Sequence, residues 1–425
     1  MAEIWVGLLV SGTLLLIGFG ASLVFERFRV PDFIVLLLLG ILLARIPVEP
    51  FGPTLVTSLA PILPAFTHLT VAFIMFEGGL SLNLKGSGRG MPGIVAHILI
   101  SVILTIALTW LIATRLLGFD DVTALVLAGA FCGPSAAVIL SFTPHLNLGE
   151  KAHRAVVLDA VVTNVVAVVV VFFAIRSANT DATSILLPYA GEIAVACILA
   201  LVVGVAWRAL MQRMSSHKFI YIATVAWAIV IYALADGLIN GNGAVAAFVF
   251  GLVLAYRRPD SERTGANQKG SLQEFQSEIT FGMRTFFFVY LGLLITFDSA
   301  SIYALGGALV LTLAFVAARA PSSLAYGRLA RLSRRETRVL LGSVARGMTD
   351  VVLVLLALQA GAIPASSEPF LIGLVTMTVL AATITCALFI IWAERIPDEP
   401  RSDGSTLAMR YDSRRGDTEV PDDFS

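Results

Sequence analysis

The chain has 425 residues, of which 57% are hydrophobic and 14% charged, and its 29 basic residues balance 29 acidic ones. A soluble domain of this length cannot hide that much apolar surface, so the composition points to an all-α polytopic membrane protein whose first partner is the lipid bilayer. Zero net charge gives no footprint for a polyanion, so no nucleic-acid partner is expected. Cys132, Cys197 and Cys386 all fall inside apolar runs and read as packing residues, with no disulfide or metal framework and no cofactor implied.

A helix needs about 20 apolar residues to cross a bilayer. Runs of that kind fall at roughly 4–24, 31–46, 62–82, 91–117, 121–142, 152–175, 184–207, 219–237, 240–256, 273–296, 302–326, 337–360 and 368–393, which predicts 13 transmembrane helices. The N-terminal run has no basic region before it and no small-residue cleavage site, so it reads as a retained first helix. The second run is short and is completed by a tilt or by an interfacial stretch around Pro50–Pro61. Residues 396–425 are polar, mixed in charge and poor in large apolar residues, as expected of a solvated, disordered tail.

Placement of the cations supports this count. Eighteen of the 29 lie in the odd loops, among them Arg27, Lys85, Lys151, Arg208, Arg257 and Arg331, and five lie in the tail. Only Arg45, Arg115 and Arg176 lie in even loops. The positive-inside rule then puts the N-terminus outside and the C-terminus in the cytoplasm, in a plasma (inner) membrane. A missed or invented helix would break this alternation partway along the chain.

No P-loop is present, and Ser135 has no histidine near it in sequence, so neither ATP-driven transport nor an enzyme is indicated. His145 and His153 fall in a cytoplasmic loop.

Three arginines remain deep inside apolar runs: Arg284, Arg319 and Arg346. Intramembrane charge is costly and marks functional sites by default. Glu77, Asp236 and Glu278 lie near span ends, where headgroups or water reach them, whereas Asp159 and Asp350 lie well within spans. An unpaired carboxylate there is expensive, and Asp159 with Arg319 is the leading pair. Asp350 follows Arg346 by four residues, which on a continuous helix puts both on one face, as a bridge or as a proton-titrating unit.

Two spans carry break signals. The fifth has Cys132-Gly133-Pro134-Ser135 at its centre, and proline removes a backbone donor where glycine already weakens the helix. The twelfth has Arg346-Gly347-Met348-Thr349-Asp350 in an aliphatic run. Carbonyls freed at mid-membrane must line a cavity or bury against protein. Seven spans separate the breaks, an odd offset, so the two helices enter from opposite sides. That is the arrangement of an inverted repeat with two discontinuous crossing helices and a substrate site between them.

Several segments resemble the monovalent cation–proton antiporter superfamily, in particular its Na⁺/H⁺ exchanger branch of NhaP type. They are Phe76-Glu77-Gly78-Gly79-Leu80, the Ala235-Asp236-Gly237 that precedes an Ala-rich run, Arg284-Thr285-Phe286-Phe287-Phe288-Val289-Tyr290-Leu291-Gly292, Arg319, and Arg346-Gly347. The resemblance covers roughly residues 1–395. It implies an antiporter fold with a core (roughly 91–175 and 302–393) moving against a scaffold that dimerises. It also implies exchange of Na⁺, K⁺ or Li⁺ for H⁺ by alternating access.

The ion-site motifs of that family are altered. Where relatives carry Thr-Asp-Pro, this chain reads Gly133-Pro134-Ser135; where they carry Glu-Ser-x-x-Asn-Asp, it reads Asp159-Ala160-Val161-Val162-Thr163-Asn164. Asp159 keeps the acid that pairs with the arginine of the eleventh span. Asn164 replaces the carboxylate that binds the cation and carries the proton in the family, and asparagine does not titrate. The ion and proton site expected here is therefore Ser135, Asp159, Thr163 and Asn164, with Asp350 as an added acid. The remaining readings are a transporter of a cation or other small solute uncoupled from protons, and a non-transporting sensor.

Overall fold

The fold, taken from a computed structural model, describes residues 12, 16–20, 32–45, 61, 63–82, 90–136, 138–139, 146, 148–178, 180, 182–213, 219–256, 267–294 and 299–395. The tail at 396–425, the stretch between Pro50 and Pro61 and most of the first span lie outside these residues.

Among the described residues every regular element is helical. In chain order the α-helices are α1 (Asp32–Ala44), α2 (Leu63–Ser81), α3 (Met91–Arg115), α4 (Asp121–Ala130), α5 (Glu150–Ser177), α6 (Ala182–Arg213), α7 (Ile220–Leu238), α8 (Gly243–Ala255), α9 (Asn267–Leu294), α10 (Ser299–Ala330), α11 (Arg334–Gly342), α12 (Met348–Gln359) and α13 (Glu368–Glu394), with a short 3-10 helix at Ala365–Ser367. Seven of the described helices are long and apolar enough to cross a membrane. Short apolar helices α1, α4, α8 and α12 stand beside them. The protein is a multi-pass membrane protein. Each predicted span from the second onward meets one helix or, for the fifth and twelfth, an interrupted one.

Two seams show why certain glycines stand where they do. Helix α2 packs on α8, and α9 packs on α1. A Cβ on Gly79 would lie 2.2 Å from the Phe248 carbonyl oxygen, and one on Gly251 would lie 2.3 Å from that of Phe76. A Cβ on Gly40 would meet the Val289 oxygen at 2.1 Å, and one on Gly292 the Leu37 oxygen at 2.3 Å. Helices in lipid gain nothing from hiding apolar side chains from water, so close backbone approach through small residues holds them together. The glycines at the ends of the Phe76–Leu80 and Arg284–Gly292 motifs serve that purpose.

The interrupted helices start alike. Asp120 caps α4, its side chain accepting from Thr123 N at 3.1 Å. Ser333 caps α11 in a reciprocal capping box with Glu336. The other oxygen of Glu336 accepts from Gly149 N at 2.8 Å, fastening the start of α11 to the start of α5. Helix α4 starts where α3 ends, so the two interrupted helices enter from opposite ends of the bundle and meet in its middle.

Candidate functional site

The meeting point is built by accounting for backbone groups that the interruptions set free. Helix α4 stops as Phe131 N bonds to Leu127 O and Cys132 N to Gly129 O, and turn geometry resumes only with Ile139 N to Ser135 O at 3.0 Å. Between them lie Gly133 and Pro134, and proline has no N–H to offer. Ser135 N reaches across to Ala345 O at 2.8 Å. The Gly133 carbonyl accepts from the Arg346 guanidinium. On the other helix, the Arg346 carbonyl accepts from Thr383 Oγ1 of α13 at 3.1 Å, and Gly347 N donates to Asp350 Oδ2 at 2.5 Å. The two breaks thus satisfy each other.

Steric fit is as close. A Cβ on Gly347 would stand 2.2 Å from Ser135 Oγ, and one on Gly133 would stand 1.9 Å from Thr163 Oγ1. Thr163 Oγ1 donates to Asp159 O at 2.7 Å, its own helix's carbonyl. Asn164 is 7% exposed. The structure therefore gathers Gly133, Pro134, Ser135, Thr163, Arg346, Gly347 and Asp350 at one crossing, with Asn164 one residue beyond Thr163.

Arg346 and Asp350 do not share a helical face. Arg346 lies in the interruption, ahead of α12, so the i, i+4 spacing read from the sequence does not apply. Its guanidinium spans to Gly133 and lies over the Phe315 ring, 4.0 Å from the centroid. Asp350 is in the first turn of α12, where its carboxylate caps the otherwise unpaired N–H of Gly347. The expected Arg346–Asp350 bridge is replaced by two separate tasks. The backbone is extended at Gly347, and that break in periodicity is the reason.

Asp159 and Arg319 form an ion pair. Arg319 Nη2 donates to Asp159 Oδ2 and also approaches Leu340 O at 3.4 Å, tying α10 to α5 and to α11. Both side chains are buried. The pair engages Asp159 Oδ2, and Asp159 Oδ1 has no hydrogen-bond partner among the described residues.

The third deep arginine, Arg284, is half-buried on α9, its guanidinium 5.7 Å from the Phe281 ring centroid. Glu77, read above as interfacial, lies by the Thr280 side chain and feels the charge of Arg284, so two motifs of the sequence face each other across α2 and α9.

Three features escaped the sequence reading. His97 on α3 is 2% exposed, and its Nε2 lies 3.9 Å from Asp159 Oδ2. The signal was present: His97, Ser101, Thr105 and Thr109 recur every four residues in an apolar run, and all four are buried. Arg176, counted above among the even-loop cations, holds Glu192 of α6 through Nη2 to Oε1 at 3.2 Å, and Asn240 donates to that same oxygen at 2.8 Å. His68 Nδ1 lies 2.8 Å from the Tyr232 hydroxyl and 3.8 Å from Asp236 Oδ2.

Chemically, the crossing offers hydroxyl, amide and carbonyl oxygens around one buried carboxylate, at the end of a helix whose first N–H that carboxylate already caps. Such a set suits a small monovalent cation held by neutral oxygens. No group of three or more metal-ligating side chains occurs among the described residues.

Comparison with known proteins agrees with the geometry. A family model described as sodium/hydrogen exchanger, transmembrane, matches residues 12–392. Among solved structures, one of the sodium proton antiporter MjNhaP1 from Methanocaldococcus jannaschii at pH 8 superposes with a TM-score of 0.76 at 17% identity, covering 93% of this chain and 100% of that one. An electron-microscopy map of the same antiporter gives 0.73 at 15% identity, covering 94% and 100%. At these identities the likeness establishes the fold.

Proposed function

Because the chain belongs to the sodium/hydrogen exchanger family, a family of transporters and not of enzymes, we propose that it exchanges a monovalent cation for protons by alternating access. Na⁺ is the expected cation, with K⁺ and Li⁺ as the alternatives. The observation that carries this reading is the contact of the two interruptions, Ser135 N on Ala345 O and Arg346 on the Gly133 carbonyl. Discontinuous helices meeting at mid-membrane are where such transporters bind their cargo. The cation sits against the oxygens of Ser135, Thr163 and Asn164. Asp350 supplies the titrating carboxylate that Asn164 does not.

The helices at 91–175 and 302–393 act as the moving core, and the remainder as a scaffold through which two copies associate. The cation-rich loops face the cytoplasm. A second reading follows from Asn164 itself: a site without the usual acid passes a cation or another small solute without proton coupling.

One assay separates the two. The purified chain is reconstituted in vesicles loaded with a pH-sensitive dye, and Na⁺, K⁺ or Li⁺ is added outside. Antiport predicts a cation-dependent change of internal pH. Tracer cation uptake with no pH change would instead establish the uncoupled reading.

A further inference from the structure

We propose that His97 is a second proton-binding group of the exchange reaction, linked to the transported cation by charge across the core; this rests on the antiport reading above. His97 projects from α3 where that helix packs against α5 and α10. Its Nε2 approaches the Asp159 oxygen that also takes the Arg319 guanidinium. On the other side the Tyr326 ring lies 5.8 Å away, centroid to centroid, near the end of α10, and Arg154 at the start of α5 acts on the Tyr326 hydroxyl.

The surroundings are unusual for a purely structural histidine. Neither ring nitrogen makes a well-formed hydrogen bond among the described residues, the Ser322 backbone being the polar group beside the ring, and Asp159 Oδ1 and Arg319 Nε also lack a partner. The same holds for Ser101 Oγ, one turn along α3, and for Ser323 Oγ, one turn beyond Arg319. Buried polar atoms are normally paired, and leaving a cluster of them unpaired is costly. An imidazole whose two nitrogens switch between one donor and two has a use for such an environment.

Charge bookkeeping explains the coupling. The ionisable groups deep in α3–α5 and α10–α13 are His97, Asp159, Arg319, Arg346 and Asp350. The charges that act on His97 are Asp159 from α5 and Arg319 from α10, while α4 brings none to its depth. Arg346 in turn feels Asp350, Arg319 and Asp159, so the crossing and the His97 cluster share one electrostatic field. With His97 neutral and Asp350 ionised, the two arginines and two aspartates cancel. A proton on His97 adds a positive charge to this buried set, and so does a cation at the crossing. For unit charges about 10 Å apart at an effective dielectric of about 20, holding both at once is disfavoured roughly tenfold. Proton and cation thus exclude each other without sharing a ligand.

The test uses the full chain in dye-loaded vesicles, with Na⁺ as the probe. In the wild type the apparent affinity for Na⁺ weakens as pH falls, and His97→Gln removes roughly tenfold of that weakening, because glutamine keeps hydrogen bonding and loses titration. If the wild type exchanges and His97→Gln has the same pH dependence, His97 carries no proton and only this inference falls. If the wild type moves no protons on adding Na⁺, K⁺ or Li⁺, the antiport reading falls and takes this one with it. A second measurement needs no substitution at position 97. Replacing His68, His145, His153 and His217 by glutamine leaves His97 as the sole histidine, and its imidazole nitrogen resonances are followed at fixed pH. Conversion from the doubly protonated to the neutral ring on adding saturating Na⁺ supports the proposal, and an unmoved spectrum overturns it.

Discussion

The break that follows Asp121–Ala130 contains Gly133, Pro134 and Ser135 and neither cation nor carboxylate; the break that precedes Met348 contains Arg346 and is closed by Asp350. Both helices are capped at the start, and each lends the other a backbone group that its own interruption left free. The difference shows that continuity of architecture does not require continuity of chemistry. The neutral break supplies shape, a Gly133 that admits Thr163 and a Ser135 that fits against Gly347. All charge at the crossing comes from the other repeat.

The largest expected effect lies at the support beneath both breaks. Asp159→Asn leaves Arg319 as a lone buried cation and is expected to cost about 3–5 kcal/mol. Joint replacement with Arg319→Gln is expected to recover much of the loss in melting temperature. A double variant no more stable than the worse single one would show that the pair is not what holds α5, α10 and α11 together.

Next comes the charged break itself. Arg346→Gln removes a charge-assisted hydrogen bond to Gly133, worth about 1.5–3 kcal/mol. Thermal unfolding of the purified chain reads this, and an unchanged transition would mean that the Gly133 carbonyl is satisfied some other way.

Smaller still is the fit between the breaks. Gly347→Ala places a Cβ against Ser135 Oγ, an overpacking expected to cost about 1–3 kcal/mol. The backbone at Gly347 is extended and accepts any residue, so the cost is purely one of space. Removing the hydroxyl and its carbon with Ser135→Gly in the same chain should restore stability. Failure of that rescue would separate the two breaks in space.

These expectations also show what was legible beforehand. The spans were legible because lipid demands long apolar runs, and the breaks because Gly133-Pro134 and Arg346-Gly347 interrupt such runs. The Asp159–Arg319 pair was legible because two buried charges have few ways to be neutralised. The relation of Arg346 to Asp350 was not, since counting four residues assumes a helix that Gly347 has already ended. His97 was missed because charged residues were sought within the spans and a neutral imidazole is not one, although its serine and threonine stripe was there to count. The role of Gly79 and Gly251 needed the partner helix, because a close approach belongs to two backbones and not to one sequence segment.

The claim that the working acid has passed from α5 to α12 is tested most directly by Asp350→Asn and Asn164→Asp, made separately and assayed in dye-loaded vesicles beside the wild type. Asparagine at 350 can still accept from Gly347 N, so the cap survives while titration is lost. The account predicts cation-driven proton movement in the wild type and loss of most of it in Asp350→Asn at an unchanged melting temperature. Full proton movement in Asp350→Asn would contradict it, and movement only in Asn164→Asp would mean that the natural chain has given up antiport.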